Sequence, residues 1–548
     1  MKIIKKTFLV VLSFIFMFLL SSCDLIKKTS ETGTTTKKKV SEERIYDKDL
    51  NIVNDNYRNY YEIFVWSYAD SDGDGIGDFN GITSKLDYIK DMGFNGIWLM
   101  PINSATSYHK YDVVNYYTVD QQFGTLAEFV NLVNKCHEKG IKLIMDLVVN
   151  HTAEAHPWFQ SALNYLRQNG EPGGEYGDYY NFTTQYSSGY TAISNTFYYY
   201  EAQFWSGMPD LNLDSENVRN EIKNIMYYWL DLGVDGFRLD AVTSYYTNNV
   251  NKNVEFLSWL NDTVKAKKSD AYIVGEAWIN SYSGVRSYYN SSVDSFFLFP
   301  IATGDGSLIK VLNDSKTNNG QEYGNLLNIL SSTYDKGILA PFLSNHDTNR
   351  IVGFVGRKNV EKIKMINGLM SLMNGSTFVY YGEEIGMICS NASSDPEKRI
   401  AMYWNKDRTG EFCKTVPSGA AAYRDNTYYF GSVEEQLADS TSILRYYQYC
   451  NYLRNCNPEI ARGTTRVYDS YYSQSQYVTV MTKEYNGQKI TIVVNLSKSN
   501  TVDLTLSRTE LGYTDLYQYL CTDPSYTVTY NKSNNKITLP PYSIAILR

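Results

Sequence analysis

The sequence predicts an α/β fold: a (β/α)8 barrel with a subdomain inserted after strand 3 and an antiparallel β-sandwich domain at the C-terminus. Eight short runs of β-branched and aromatic residues alternate with helical patterns between about residues 60 and 455. A long segment rich in Tyr, Gly, Ser and Asn, residues 151–205, separates the third run from the fourth. Alternating apolar and polar residues follow the last helical pattern.

The eight candidate strands are short apolar runs, as expected for strands buried on both faces. They cover residues 62–68, 96–100, 142–149, 236–240, 272–276, 295–299, 340–343 and 377–381. Helical periodicity lies between them, for example over residues 126–139 and 218–232. Strict alternation with helices favours a closed barrel over an open sheet. Residues 477–482, 489–494 and 536–547 are the candidate strands of the C-terminal domain.

Length and composition limit the function classes. The 548 residues are 43% hydrophobic and 20% charged, which excludes a wholly disordered chain and allows several domains. A net charge of −8 argues against nucleic acid as a partner. The predicted organisation is a signal peptide (1–22), a flexible tether (23–58), the barrel (59–150 and 206–460), the inserted subdomain (151–205) and the C-terminal β domain (461–548).

The N-terminus carries an export signal. A basic start at Lys2, Lys5 and Lys6 precedes an apolar run over residues 7–20, which ends in Leu-Ser-Ser-Cys23. This pattern resembles the bacterial lipoprotein signal, in which the cysteine is lipidated. We therefore expect an exported protein that is lipid-anchored through Cys23 to the outer side of a bacterial membrane. An ordinary secretory signal is the alternative.

Polar side chains follow four of the candidate strands. Asp240 ends the fourth strand and Glu276 the fifth, while His151 and Asp347 follow the third and the seventh. In a parallel barrel these strand ends converge on one mouth, where barrel enzymes carry their chemistry. The sequence therefore predicts a cluster of carboxylates at this mouth.

Paired carboxylates in different environments suit cleavage of a glycosidic bond, which needs one ionised acid and one protonated acid. Arg238 lies two residues before Asp240 and shares its face of the strand, so it can keep Asp240 ionised. Glu276 lies in an apolar stretch and is the better candidate for proton delivery. Asp347 can stabilise a cationic transition state.

The motifs DLVVNH, GFRLD, GEAW and SNHD, in this order, resemble the four main motifs of the α-amylase family, glycoside hydrolase family 13. MPDLN at residues 208–212 resembles a fifth motif. The resemblance extends over about residues 60–548 and implies a retaining double displacement. It makes Asp240 the nucleophile, Glu276 the general acid/base and Asp347 the transition-state stabiliser.

The resemblance also implies the residues that bind the reacting sugar. YHKYD at residues 108–112 resembles the family's YHGYD segment, with Lys110 in place of the usual glycine. Three of the five histidines of the chain fall in these motifs. The implied sugar-binding residues are His109, Tyr111, Asp112, His151, Arg238, His346 and Arg399.

An acidic loop follows the first candidate strand. Asp70, Asp72, Asp74 and Asp78 match the acidic positions 1, 3, 5 and 9 of an EF-hand loop, but position 12 is Gly81. The loop is therefore not an EF-hand, yet it remains suited to Ca²⁺; a solvated Asp-Gly turn is the alternative. Some α-amylase relatives bind Ca²⁺ in such a loop, and the resemblance adds the carbonyl of Ile76. A second calcium at Asn150 stays open.

The resemblance also bears on the substrate. The MPDLN motif is similar to members intermediate between α-amylases and oligo-1,6-glucosidases or neopullulanases. Ala241 after the nucleophile implies α-1,4 linkages. We expect a monomer that hydrolyses starch, maltodextrins or maltooligosaccharides, with an α-glucosidase or a maltose/trehalose-type transglycosylase as the alternative. A catalytically silent glycan-binding lipoprotein is disfavoured, because all three acids are present.

Overall fold

The computed structural model describes residues 48–313, 315–390, 392, 394–418 and 425–548. The predicted signal peptide, Cys23 and most of the predicted tether lie outside these residues. Within the described residues, no helix is both long enough and apolar enough to cross a membrane.

The predicted barrel is confirmed. Its strands pair in parallel in the order of the sequence, and the first strand also pairs with the eighth. A parallel bridge between Phe342 and Phe378 links the seventh strand to the eighth and closes the barrel. The eight strands are Asn59–Ile63, Gly96–Leu99, Lys142–Leu147, Gly236–Leu239, Tyr272–Gly275, Ser295–Phe297, Ile338–Ala340 and Thr377–Tyr380.

The first strand differs from its prediction. It ends at Ile63, and Val65–Ser67 forms a 3-10 turn in which the Ser67 N–H donates to the Phe64 carbonyl. The strand ends where its paired neighbours end, at Leu99 and Tyr380. The apolar run continues past this point because the turn itself is buried.

Amphipathic helices surround the barrel. Leu126–Glu138 begins at a capping box formed by Thr125 and Glu128, and it buries Phe129, Leu132, Val133 and Cys136 at helical spacing. The other helices of the barrel are Phe79–Ser84, Leu86–Asp91, Glu216–Asp231, Val250–Lys267, Tyr282–Tyr288, Ser307–Val311, Asn319–Thr333, Ile351–Val355, Val360–Ser371, Val433–Ala438, Ile443–Cys456 and Glu459–Arg462.

Two irregular segments extend the mouth of the barrel. A hairpin of Asn103–Ala105 and Val113–Val119 follows the second strand. The insertion after the third strand contains the helix Pro157–Asn169 and a small antiparallel sheet of Phe182–Thr183, Tyr190–Ala192 and Tyr199–Glu201. A bridge between His151 and Asp210 ties the start of this insertion to its end.

The barrel interior has an apolar floor. Tyr60 stacks on Phe378 at 4.7 Å and on Tyr272 at 5.3 Å, and Trp98 packs in the same cluster. Glu62 lies two residues after Tyr60 and therefore points to the same side of the strand. The polar residues of the barrel mouth therefore begin directly above this cluster of buried aromatic side chains.

The C-terminal domain is antiparallel, as predicted. A five-stranded sheet contains Thr464–Val467, Val478–Tyr485, Gln488–Asn495, Ser543–Leu547 and Leu516–Cys521. A three-stranded sheet contains Val502–Thr505, Lys536–Leu539 and Thr529–Asn531, and Arg508–Leu511 is a short helix. The predicted strand 536–547 is thus two strands, in different sheets. One apolar cluster includes residues of both sheets, such as Val480 and Ile537.

Candidate active site

The centre of the barrel mouth is the fully buried side chain of Arg238. Its Nη1 donates to both oxygens of Asp146 at 2.9 Å and to Asp240 Oδ1 at 2.7 Å. Its Nη2 lies 3.0 Å from Glu276 Oε1. One guanidinium thus holds three carboxylates, which arrive from the third, fourth and fifth strands.

This arrangement favours a proton on one of the acids, because a single cation cannot neutralise three anions in a dry site. Burial raises the pKa of Glu276 to about 7, although the neighbouring Arg238 opposes the shift. Burial likewise raises the pKa of Asp146 to about 7. Asp240 keeps its short ion pair with Arg238. Arg238 therefore contacts two different acids: Asp240, in a short ion pair, and Glu276, whose raised pKa lets it carry a proton near neutral pH.

The backbone after Asp240 is strained. Ala241 has a φ of 45°, which residues with a side chain rarely adopt. Its N–H donates to Glu276 Oε2 at 3.1 Å, so the turn that orients Asp240 also fixes Glu276. A β-branched residue would increase the backbone strain at this position, which explains why a small side chain, alanine, is found here.

Asp347 lies between two cations. Arg399 Nη2 is 2.6 Å from Asp347 Oδ1, and His346 Nε2 is 2.8 Å from Asp347 Oδ2. Burial alone would raise the pKa of Asp347, but His346 and Arg399 hold it well below its usual range. Its side chain is 24% exposed, against 8% for Glu276. An ionised carboxylate therefore faces the opening of the site.

Tyr111 lies between the carboxylates around Arg238 and the group around Asp347, and it contacts both. Its hydroxyl donates to Asp146 Oδ2 at 3.2 Å and lies 2.7 Å from His346 Nε2. Its carbonyl lies 3.2 Å from His151 Nε2. The ring of Tyr111 packs beside that of His109, and burial lowers the pKa of His109 to about 4. Burial also lowers the pKa of His151.

The loop that carries Tyr111 is held by Lys110, the residue that departs from the family pattern. Lys110 has a φ of 63°, in the region that favours glycine. Its buried Nζ lies 2.9 Å from Asp120 Oδ2 and donates to Gln122 at 2.7 Å. Asp112 has a similar role, since its oxygens accept from Thr106 and Ser107 within the loop. The structure places Asp112 as a support of the loop.

Several residues of the mouth were not assigned to the site from the sequence. Glu62 is a single acid inside an apolar strand, and that misfit was its only signal, whereas Asp146 begins the DLVVNH motif but was given no role there. Two exposed aromatic rings flank the cleft: Phe204 contacts the His151 ring at 5.2 Å, and Trp278 stacks on Phe299 at 4.8 Å. Their exposure depends on the tertiary structure, so the sequence could not show it.

The acidic loop brings three of its four aspartates together. Asp70, Asp72 and Asp78 each offer an oxygen within 4.8 Å of the others, and Asp70 and Asp78 are buried. Asp74 lies outside this set, and its Oδ1 accepts the N–H of Ile76 at 2.7 Å. Clustered carboxylate oxygens fit a hard cation such as Ca²⁺.

Comparison with known proteins gives the family. A model of the α-amylase catalytic domain matches residues 62–463. The chain belongs to the α-amylase family. It is an α-amylase-type glycoside hydrolase, and its barrel mouth is the candidate active site.

The similarity to individual family members extends over most of the chain. Alpha-amylase 3 of Dictyoglomus thermophilum is 33% identical over 511 residues, which cover 90% of this chain and 93% of that protein. An oligo-1,6-glucosidase of Parageobacillus thermoglucosidasius is 28% identical and covers 81% of this chain and 90% of its own. The solved structure of Eubacterium rectale Amy13B has a TM-score of 0.86 and 41% identity, covering 93% and 98% of the two chains.

The pKa of Glu276 predicts the alkaline limit of this hydrolase. We expect Glu276 to deliver the proton, which it can do only in its protonated form, so kcat/KM on a maltooligosaccharide should fall as the pH rises through about 7. An aryl glycoside with a good leaving group, which needs little protonation, is the control and should show a weaker fall. A limit at the pKa of an ordinary carboxylate would contradict this prediction.

Proposed function

We propose that this hydrolase cleaves α-1,4-glucosidic bonds of starch, maltodextrins and maltooligosaccharides, as a monomer and with retention of anomeric configuration. The observation that carries the proposal is the pair of Asp240 and Glu276 on the two terminal nitrogens of Arg238. Retention needs carboxyl groups about 5–5.5 Å apart, and a shared guanidinium favours that close spacing over the wider one of inverting enzymes.

The residues support a double displacement. Glu276 protonates the glycosidic oxygen while Asp240 Oδ attacks the anomeric carbon, so the leaving sugar departs with the proton and a glycosyl ester forms. Glu276, now ionised, then takes a proton from water, whose oxygen attacks the same carbon and releases Asp240. Asp347, held ionised by two cations, stabilises the positive charge that develops on the sugar in both steps.

The proposed linkage rests on the neighbourhood of the nucleophile. Ala241 leaves room beside Asp240, and its positive φ disfavours a larger β-branched residue. The exposed rings of Phe204 and Trp278 offer apolar faces on which sugar rings of a longer chain can stack.

Replacement of the nucleophile tests the mechanism. Asp240→Asn should lower kcat on maltotetraose by about a thousandfold or more, with little change in ligand binding, because the amide cannot form the ester. Asp231→Asn, on an outer helix where it pairs with Lys267, is the matched control and should retain the wild-type rate. Proton NMR of the first product of the wild type should show the α-anomer. A β-anomer would contradict retention, and an active Asp240→Asn would remove Asp240 from its role.

Transfer to a sugar acceptor is the second candidate, because it uses the same residues and differs only in the acceptor. Products from soluble starch, maltotriose and pullulan distinguish the two. Short products from starch, with no chains longer than the substrate from maltotriose, support hydrolysis of α-1,4 bonds. Longer chains, or trehalose from maltose, support transfer, and cleavage of pullulan at α-1,6 bonds would contradict the proposed linkage.

We further propose that the loop of residues 70–78 binds Ca²⁺, with ligands from Asp70, Asp72 and Asp78 and the carbonyl of Ile76. The ion would neutralise the clustered carboxylates and stabilise the fold. Support comes from the burial of two of these acids and from the backbone N–H groups of Gly73 and Gly75, which fix Asp70 at 2.6 and 2.8 Å.

Chelation tests the calcium site. EGTA should lower the Tm of the wild type by about 2 °C or more, and added Ca²⁺ should restore it. Asp72→Asn should abolish this response. Asp74→Asn is the matched control from the same loop, and it should keep the response because Asp74 lies outside the close set. A wild-type Tm that is insensitive to EGTA, with no Ca²⁺ in the purified protein, would contradict the site.

We also propose that the enzyme is exported and lipid-anchored through Cys23, which the lipoprotein-like signal supports. Cys23→Ser should move the protein from the membrane fraction to the soluble fraction and abolish its partition into a detergent phase. Ser30→Ala, in the predicted tether, is the control and should stay with the membrane. Wild-type protein that partitions with the aqueous phase would contradict the anchor.

A further inference from the structure

Glu62 is a fully buried carboxylate at the end of the first barrel strand, above the apolar floor. Its Oε1 lies 2.6 Å from His346 Nδ1 and accepts the backbone N–H of His346 at 3.3 Å. The double displacement uses His346 to hold Asp347 but gives Glu62 no task. A buried acid needs a partner that compensates for its lost hydration, and His346 is that partner.

The two ring nitrogens of His346 both face carboxylate oxygens. Nδ1 faces Glu62, while Nε2 faces Asp347 at 2.8 Å and the Tyr111 hydroxyl at 2.7 Å. A neutral imidazole has a single N–H, so one of the two nitrogens would direct a lone pair at an anion. With Glu62 and Asp347 both ionised, only the doubly protonated ring satisfies both contacts. Burial raises the pKa of Glu62, but the His346 imidazolium opposes that shift, so the two charges support each other.

The groups around His346 come from several elements, and both signs of charge are present. The carboxylates of Glu62 and Asp347, together with those of Asp146 and Glu276, favour the cation. The nearby guanidinium groups of Arg238 and Arg399 oppose it, as like charges do. Burial also opposes the charge, yet Asp347 and Glu62 outweigh it and raise the pKa of His346 to about 9. The neutral groups at the ring are Tyr111 and Trp98, whose ring lies edge-on at 5.6 Å.

We propose that Glu62 is a positioning residue of this active site, which keeps both nitrogens of His346 protonated so that the imidazolium aligns and holds Asp347. This inference rests on the proposed function for its effect on turnover. Without the charge of Glu62, Asp347 alone of the two contacting carboxylates would favour the imidazolium, so the pKa of His346 would fall and its ion pair with Asp347 would weaken as the pH rises. Removal of the Glu62 charge should therefore lower kcat, and the decrease should become larger as the pH rises.

Histidine NMR tests the arrangement without any turnover. The chain has five histidines, so labelling of histidine Cε1 with ¹³C gives few resonances, and the His346 signal is the one that His346→Gln removes. At about pH 7.5 this signal should have the shift of an imidazolium in the wild type, and in Glu62→Gln it should titrate at a lower pH than in the wild type. His109 and His151 should be neutral in both, because burial lowers the pKa of each.

Kinetics test the consequence. The ratio of kcat for Glu62→Gln to kcat for the wild type should be close to one at about pH 5.5 and should fall about tenfold by about pH 8. A purely structural role of Glu62 would give a ratio that does not change with pH. Glu459→Gln, which replaces another buried acid paired with a cation, Arg548 at 2.9 Å, is the matched control and should give a flat ratio near one.

Two results would overturn the inference: a neutral His346 in the wild type at about pH 7.5, or a pH-independent kinetic ratio for a folded Glu62→Gln. The NMR result on the wild type decides even where Glu62→Gln does not fold. Failure of the proposed function is a separate result, since a wild type without activity on α-glucans leaves the protonation of His346 measurable.

Discussion

The active site depends on the enclosure of Arg238 by three carboxylates. The guanidinium is fully buried and contacts Asp146, Asp240 and Glu276. Because a buried site penalises uncompensated anions, the excess negative charge is relieved by protonation, and both Glu276 and Asp146 have the raised pKa that this requires. The proposed nucleophile, Asp240, and the proposed acid, Glu276, therefore belong to one ion-pair cluster.

The barrel supplies the conditions for this cluster. Its aromatic floor, in which Tyr60 stacks on Phe378, keeps water away from below and leaves the mouth as the open side. Two residues above this floor have a strained backbone conformation with positive φ: Ala241, next to Asp240, and Lys110, in the loop of Tyr111. Each strained residue makes a compensating contact, with Glu276 and with Asp120 respectively. Rigid strands thus position charges that would otherwise repel one another.

The sequence predicts the barrel and its acids well because both depend on local patterns. Each strand is an apolar run between helical segments, and Asp240, Glu276 and Asp347 lie near the ends of such runs. Contacts between residues that are far apart in the sequence could not be predicted, such as that of Glu62 with His346, 284 residues away. The sequence also could not show that Asp74, unlike Asp70, Asp72 and Asp78, lies outside the aspartate cluster. The chain has 50 tyrosines, and many of them are core residues, such as Tyr60 and Tyr272.

Neutron diffraction on perdeuterated crystals would show which acid carries the proton, because it locates the protons on the acids that surround Arg238. At about pD 6, below the pKa of Glu276, we predict a deuteron on a carboxyl oxygen of Glu276 and none on Asp240. A deuteron on Asp240, or an ionised Glu276, would contradict the proposed roles of these two acids.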